Sequence, residues 1–276
     1  MQDGSCFHLH ICPEQLADKI ILVSDPAAVN LVAAHFDSKE CEIESREFHT
    51  ITGQYKDKRI TCLSYGFGSE NIDIVLNELD TLANVDYKTR EKEHLHRTLT
   101  IVNVGISERI QPQARNGSIV ASVKAIGLDG LLNYYADRSK TCDLQMEKCF
   151  KDHMKWNPVK GAPYIVATET ELLKQIAKED VTSCYTVSCI GFYSPQGRGL
   201  RLPLEDTDLK EKLASFEYEG KCICNIDMES ASIIGMASLL GHRAVSCCVV
   251  DEVAHSSVLS ENTAFGRLLE LVLDRI

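Results

Sequence analysis

The sequence predicts one α/β domain, residues 1–276, built on a mixed central sheet. Three observations point there. Short apolar runs of strand character recur between Lys19 and Val250. Segments with helical apolar spacing lie between them, the clearest carrying Ile72, Val75, Leu76, Leu79 and Leu82. Strands outnumber helices and the two are interleaved throughout, with no internal repeat, low-complexity tract or linker.

Taken in order, Lys19 to Val23 is a short apolar strand ending at Ser24-Asp25-Pro26. Pro26 suits a first helical turn, so a helix is expected over Ala27 to Phe36. Phe48 to Thr52 and Arg59 to Tyr65 read as strands around the polar turn Lys56-Asp57-Lys58. Gly66-Phe67-Gly68 leads into the helix of Ile72 to Leu82, and the charged stretch Tyr87 to Arg97 reads as a solvated connection. Leu99 to Gly105, Gly117 to Ala125, Tyr164 to Ala167 and Cys184 to Ile190 follow as strands. Leu213 to Ile226 holds a loop and a strand, and Met228 to Leu240 is an apolar helix with small residues. Ala244 to Val250 is a fully buried strand, and Thr263 to Ile276 is an amphipathic helix.

The charge balance excludes several function classes. With 29 basic and 40 acidic side chains the net charge is −11, opposite to a nucleic-acid footprint or an anionic membrane surface. No apolar run approaches the roughly 18–20 residues of a membrane span. Met1 to Cys6 lacks the basic-then-apolar pattern of a signal peptide, so a cytoplasmic location is expected. Twelve cysteines occur without a CxxC pair. Cys247-Cys248 sits in an apolar stretch and Cys222 and Cys224 alternate along a strand, so the expectation is reduced, mostly buried thiols and no metal site.

In open α/β sheets ligands gather beyond the carboxyl ends of strands, and four such ends carry polar chemistry here. Ser24-Asp25-Pro26 is either an acidic helix cap or an amide-lined turn for an anion. Gly66-Phe67-Gly68 is either a tight turn or a phosphate cradle. Phe192, Gln196 and Arg198 share a Gly/Pro loop and can stack on and pair with a flat heterocycle, or form a structural loop. Asp227-Met228-Glu229 lies where a strand meets a helix, so Glu229 is either a dipole-favoured charge or an acceptor for a diol. Asp251-Glu252 closes the last buried strand, as an acid or as a solvated exit.

Together these segments resemble the nucleoside phosphorylase family, in particular its uridine phosphorylase branch. The resemblance rests on Phe7-His8-Leu9, Ile21 to Pro26, Thr52 to Lys56, Gly66-Phe67-Gly68 and Asp129-Gly130. Its most specific parts are Phe192 to Arg198 and Asp227 to Ser230. It implies a three-layer α/β/α sandwich with a mixed, partly closed sheet, assembling from dimers whose sites straddle the interface. It implies cleavage of an N-ribosidic bond by phosphate as co-substrate, without a cofactor. Gln196 and Arg198 would bind the uracil edge and Phe192 would lie against the ring. Met228 would pack on the ribose, Glu229 would hold its hydroxyls, and His8 of the neighbouring subunit would reach the 5′ end.

The phosphate site departs from that pattern. Ser24 replaces a glycine and Ala28 an arginine of the first turn. Asn103 replaces an arginine, Ile106 a threonine and Glu108 a glycine, while the arginine lent by a neighbouring subunit falls at Thr52. Asp227 stands where a glutamate is usual. A charge-assisted hydrogen bond contributes about 1.5–3 kcal/mol, and 1.4 kcal/mol is a factor of ten, so losing three arginines lowers phosphate affinity by about a thousandfold or more. Arg109 or Arg115 could compensate from the adjacent loop. The leading expectation is a pyrimidine nucleoside binder with phosphorolysis impaired or lost, as a homodimer or as partner of an active paralogue. The alternatives are an active uridine phosphorylase with a rebuilt anion site, or a hydrolase using Glu108, Asp227, Glu229, Asp251 and Glu252.

Overall fold

The computed structural model describes residues 3–111, 114–251 and 263–276. The N-terminal half builds β1 (Lys19–Val23), α1 (Pro26–Ala33), β2 (Ser38–Ser45), β3 (Phe48–Tyr55), β4 (Lys58–Ser64), α2 (Ser69–Asn84), β5 (Thr100–Arg109) and β6 (Ile119–Gly127). The C-terminal half adds α3 (Leu144–Met154), β7 (Tyr164–Ala167), α4 (Thr170–Ile176), β8 (Thr182–Ser188), α5 (Leu209–Ser215) and β9 (Glu217–Tyr218). It ends with β10 (Lys221–Asp227), α6 (Ser230–Leu239), β11 (Arg243–Asp251) and α7 (Ala264–Arg275).

All of the described strands join one sheet in the order β2-β3-β4-β1-β5-β11-β6-β8-β10-β9, with β7 on β6. β1 lies parallel to both β4 and β5, and β11 parallel to β5. An antiparallel pairing of Asn225 and Ile226 in β10 with Arg109 and Glu108 in β5 closes β5, β11, β6, β8 and β10 into a five-stranded barrel. The expected mixed, partly closed sheet is therefore present.

Alternation along β1 shows how the layers form. Ile20 and Leu22 point to the side of α2 and α6, where they meet Ile72, Val75, Leu76 and Leu79. Ile21 and Val23 point to the opposite side, among Val29 and Val32 of α1 and Phe265, Leu268 and Val272 of α7. Both faces are thus covered, which suits a parallel strand with a continuous apolar run.

The structure moves several boundaries. The first helix begins at Pro26 and stops at Ala33, and β3 runs on to Tyr55. β6 spans Ile119–Gly127 and β8 spans Thr182–Ser188, each offset by two residues from expectation. β5 does not stop at Gly105 but continues to Arg109, so Ile106 and Glu108 belong to a strand and not to a following loop. Edge strand β2 and helices α3 to α5 were not anticipated; β2 is mostly exposed and carries alternating polar residues instead of an apolar run. Among the described residues no helix is long and apolar enough to cross a membrane.

Candidate functional site

The carboxyl ends of β1, β5, β10 and β11 converge on a cavity of about 590 Å³, within the usual range for small-molecule sites. Ser24, Asp25 and Ala28 form its wall at the end of β1, and Asn103 to Glu108 contribute from β5. Phe192, Gln196 and Arg198 enter from the loop after β8, Asp227 to Glu229 from the β10–α6 junction, and Asp251 from β11. The predicted base, ribose and anion residues thus share one cavity, except His8 and Thr52. Glu252 lies outside the described residues.

At the end expected to hold a ribose, Glu229 is nearly enclosed and its Oε1 accepts the backbone N–H of Gly68 at 2.9 Å. Gly68 has φ +91°, a conformation that favours glycine, so its amide can face the carboxylate at the start of α2. This amide is already bonded to a carboxylate, and the amide of Gly66 donates to the Ser24 carbonyl at 3.1 Å, so the Gly66-Phe67-Gly68 turn acts as a support for Glu229 and not as a phosphate cradle. Burial, then the charge of Asp227, pushes the Glu229 carboxyl up to about 8. Glu229 therefore holds its proton over most of the neutral range and can both donate to and accept from a diol.

Asp227 is buried and turned into the barrel. Its Oδ1 accepts the Ser188 hydroxyl at 2.6 Å, and its Oδ2 accepts the Ser230 hydroxyl. Ser230 bonds Ser246 at 2.6 Å, Ser246 accepts Asn103 Nδ2 at 2.8 Å, and Asn103 Oδ1 accepts the Tyr65 hydroxyl at 3.1 Å. Burial raises the Asp227 carboxyl above the ordinary range although the serine hydroxyls oppose it. Asn103 is thus a neutral link in a serine–carboxylate chain.

At the end expected to hold an anion, Asp25 caps α1 by accepting the Ala27 N–H at 2.8 Å, which is the acidic-cap reading. Among the described lining residues the cavity has one cation, Arg198, against Asp25, Glu108, Asp227, Glu229 and Asp251. Arg198 is itself committed. It pairs with Glu108, donates to Gln196 Oε1, donates to the Phe192 carbonyl at 2.6 Å, and stacks 3.7 Å from the Phe192 ring centroid. Lys210 also pairs with Glu108. Arg109 pairs along the β5–β10 closure, and neither it nor Arg115 lines the cavity.

Thr52 and His8 lie elsewhere. Thr52 is fully buried, its Oγ1 2.8 Å from both the Gln15 carbonyl and Thr61 Oγ1, so this position faces the interior of the chain. The exposed arginine of the same hairpin is Arg46, at the β2–β3 turn with φ +57°. His8 Nδ1 lies 2.6 Å from Glu78 Oε1, and Glu78 also accepts the His8 and Leu9 amides, which fastens the N-terminal segment to α2. The Glu108–Arg198 pair was not read from the sequence.

A phosphorylase superfamily profile matches residues 18–274. The chain belongs to the phosphorylase superfamily. A uridine phosphorylase from Thermococcus kodakarensis is 25% identical over 256 residues, covering 90% of this chain and 78% of the relative. A DeoD-type purine nucleoside phosphorylase from Colwellia psychrerythraea is 23% identical, covering 98% of both chains. Among solved structures, a Trypanosoma brucei nucleoside phosphorylase described as showing uridine phosphorylase activity superposes with a TM-score of 0.86 at 24% identity, over 100% of this chain and 98% of that one. The Toxoplasma gondii purine nucleoside phosphorylase with immucillin-H gives 0.68 at 18% identity, over 99% and 95%. The fold is the superfamily's, and uridine phosphorylases stand among both its sequence relatives and its structural neighbours.

Proposed function

We propose that this chain binds a pyrimidine nucleoside and has lost efficient phosphorolysis. One observation carries the reading. The cavity retains Glu229, Met228, Phe192, Gln196 and Arg198, while its oxyanion end holds Ser24, Ala28, Asn103 and Ile106 and, among the described residues, no cation free of an internal carboxylate. A phosphate dianion there would meet Asp25, while Glu108 keeps the charges of Arg198 and Lys210 for itself. Phosphate is the nucleophile of the family reaction, so positioning is lost with affinity. Glu229 supplies the ribose contact, and the Gln196–Arg198 pair supplies the uracil edge once Glu108 yields the guanidinium.

The twelve free thiols suit a reducing cytoplasm. We infer that His8, which Glu78 holds outside its own cavity, serves a neighbouring copy in a dimer, of this chain with itself or with an active paralogue. A phosphorolysis assay with uridine at saturating phosphate tests the proposal. We expect no ribose 1-phosphate above background; steady turnover would establish a rebuilt anion site. A hydrolytic reading has one support, the protonated Glu229 as an acid beside the cavity. Free ribose released from uridine without phosphate would favour it.

A further inference from the structure

The neighbouring barrel strands β8 and β10 bring two thiols together. Their parallel pairing sets Ile223 against Tyr185 and Asn225 against Thr186, so between these pairs β10 holds one residue more than β8. That residue is Cys224. Ile223 and Tyr185 pack on one face, among Leu213 and Phe216. Thr186 donates to Asn225 Oδ1 at 2.9 Å on the other. A bulge residue escapes strict alternation, and Cys224 packs against the cluster of Cys184, Cys248, Val120 and Val250. There the Cys184 thiol donates a hydrogen bond to the Cys224 sulfur. Adjacent strands lie about 4.8 Å apart, inside the roughly 4.4–6.8 Å of Cα separation that a disulfide spans.

The two members differ in reactivity. Cys184 is buried, and the hydrogen bond together with burial holds its thiol well above the ordinary range. Cys224 is half-buried. The hydrogen bond from Cys184, joined by the charge of Lys221, holds its thiol below the ordinary range against its own burial. The thiolate is the form that attacks an oxidant, so Cys224 is the attacking sulfur and Cys184 the resolving one.

Cys247 and Cys248 show the contrast. They are neighbours in sequence, but successive strand residues point to opposite faces, and the two thiols fall in separate apolar clusters. Both are enclosed and pushed up by burial. Adjacency in the chain keeps that pair apart, whereas the β10 bulge brings Cys224 onto Cys184.

We propose that Cys184 and Cys224 form a reversible oxidation site that closes to a disulfide when the chain meets hydrogen peroxide. The Cys224 sulfur attacks one peroxide oxygen and the O–O bond breaks. Cys224 becomes a sulfenic acid, and the hydroxide released takes up the proton that Cys224 gave up. The Cys184 sulfur then attacks the sulfenic sulfur. The S–S bond forms, the S–O bond breaks, and the second hydroxide leaves as water with the proton of Cys184. Two thiols lose two electrons and one peroxide is reduced to two waters, and a thiol reductant reverses the bridge by exchange. The bridge ties together the strands that end in Ser188 and Asp227, and the loop it closes contains Phe192, Gln196 and Arg198. Asn225, next to Cys224, donates to Ser107 of the cavity wall at 2.9 Å, so the site adjoins the cavity.

The test is peptide mapping by mass spectrometry of the full chain, treated with hydrogen peroxide and then with a thiol-blocking reagent. The expected result is a Cys184–Cys224 cross-linked peptide that forms before any other bridge and disappears with dithiothreitol. Dimedone, which traps sulfenic acids, should label Cys224 in Cys184→Ser, where the resolving thiol is gone. It should label Cys184 in Cys224→Ser about tenfold less or weaker still. The map of the unaltered chain stands whether or not the variants fold. Absence of the bridge, a bridge from either residue to Cys222 or Cys248 in its place, or equal dimedone labelling of the two positions would each overturn the proposal.

Discussion

The two ends of the cavity differ in how their polar groups are satisfied. At the sugar end, Glu229 is buried, supported by one backbone amide and raised to about 8, so it retains capacity toward a ligand. At the anion end, the polar groups are consumed internally: Asp25 caps a helix, Asn103 bonds Tyr65 and Ser246, and Glu108 is bonded to Arg198 and Lys210. A binding site needs polar groups that fold without being used up. The comparison teaches that polar residues can line a cavity while the hydrogen-bonding capacity and charge they offer a ligand are spent within the fold.

The largest expected effect comes from rebuilding the spent end. Combining Ser24→Gly, Ala28→Arg, Asn103→Arg, Ile106→Thr and Glu108→Gly should raise phosphate affinity by about a thousandfold, by the arithmetic of charge-assisted bonds. Phosphate-dependent protection against heat measures it; a folded variant with no gain would show that these positions are not what excludes phosphate. Next, Glu229→Ala should weaken uridine binding about ten- to a hundredfold, the equivalent of one strong hydrogen-bonding group. Unchanged affinity by calorimetry would remove Glu229 from the ribose site.

Glu108→Gln sharpens the comparison at the boundary between the ends. Removing the charge that holds Arg198 should tighten uridine binding by about tenfold, since the guanidinium no longer has to leave an ion pair. Weaker binding would mean that Glu108 orients Arg198 for the base.

The smallest effect is on stability. A carboxyl whose folded pKa is raised stabilises the fold fully below the ordinary carboxyl range and loses that contribution as pH rises toward about 8. Asp227 is shifted in the same direction. The melting temperature should therefore fall between about pH 5 and 8, by about 2–4 °C per kcal/mol lost, and the slope should flatten in Glu229→Gln. An equal slope in that variant would place the titration elsewhere.

What was legible in the sequence follows from how local each signal is. β1, β11 and α2 announce themselves through continuous or periodic apolar residues, because each is buried on a long face. β2 carries Glu40, Glu42 and Glu44 on an exposed edge, so no apolar pattern betrays it. The cavity residues were found because strand ends concentrate polar chemistry, and the resemblance gave them roles. The Glu108–Arg198 pair was not legible: its members are far apart in sequence, and only the β5–β10 closure and the loop after β8 bring them together. Thr52, expected at the anion site, has its side chain in the interior, and no local pattern in the sequence tells an interior strand position from one at the hairpin tip.

The most direct measurement is a calorimetric titration of uridine into the intact protein, with and without saturating phosphate. The account predicts saturable uridine binding whose affinity is the same in both. Uridine binding that appears or tightens manyfold only when phosphate is present would contradict it.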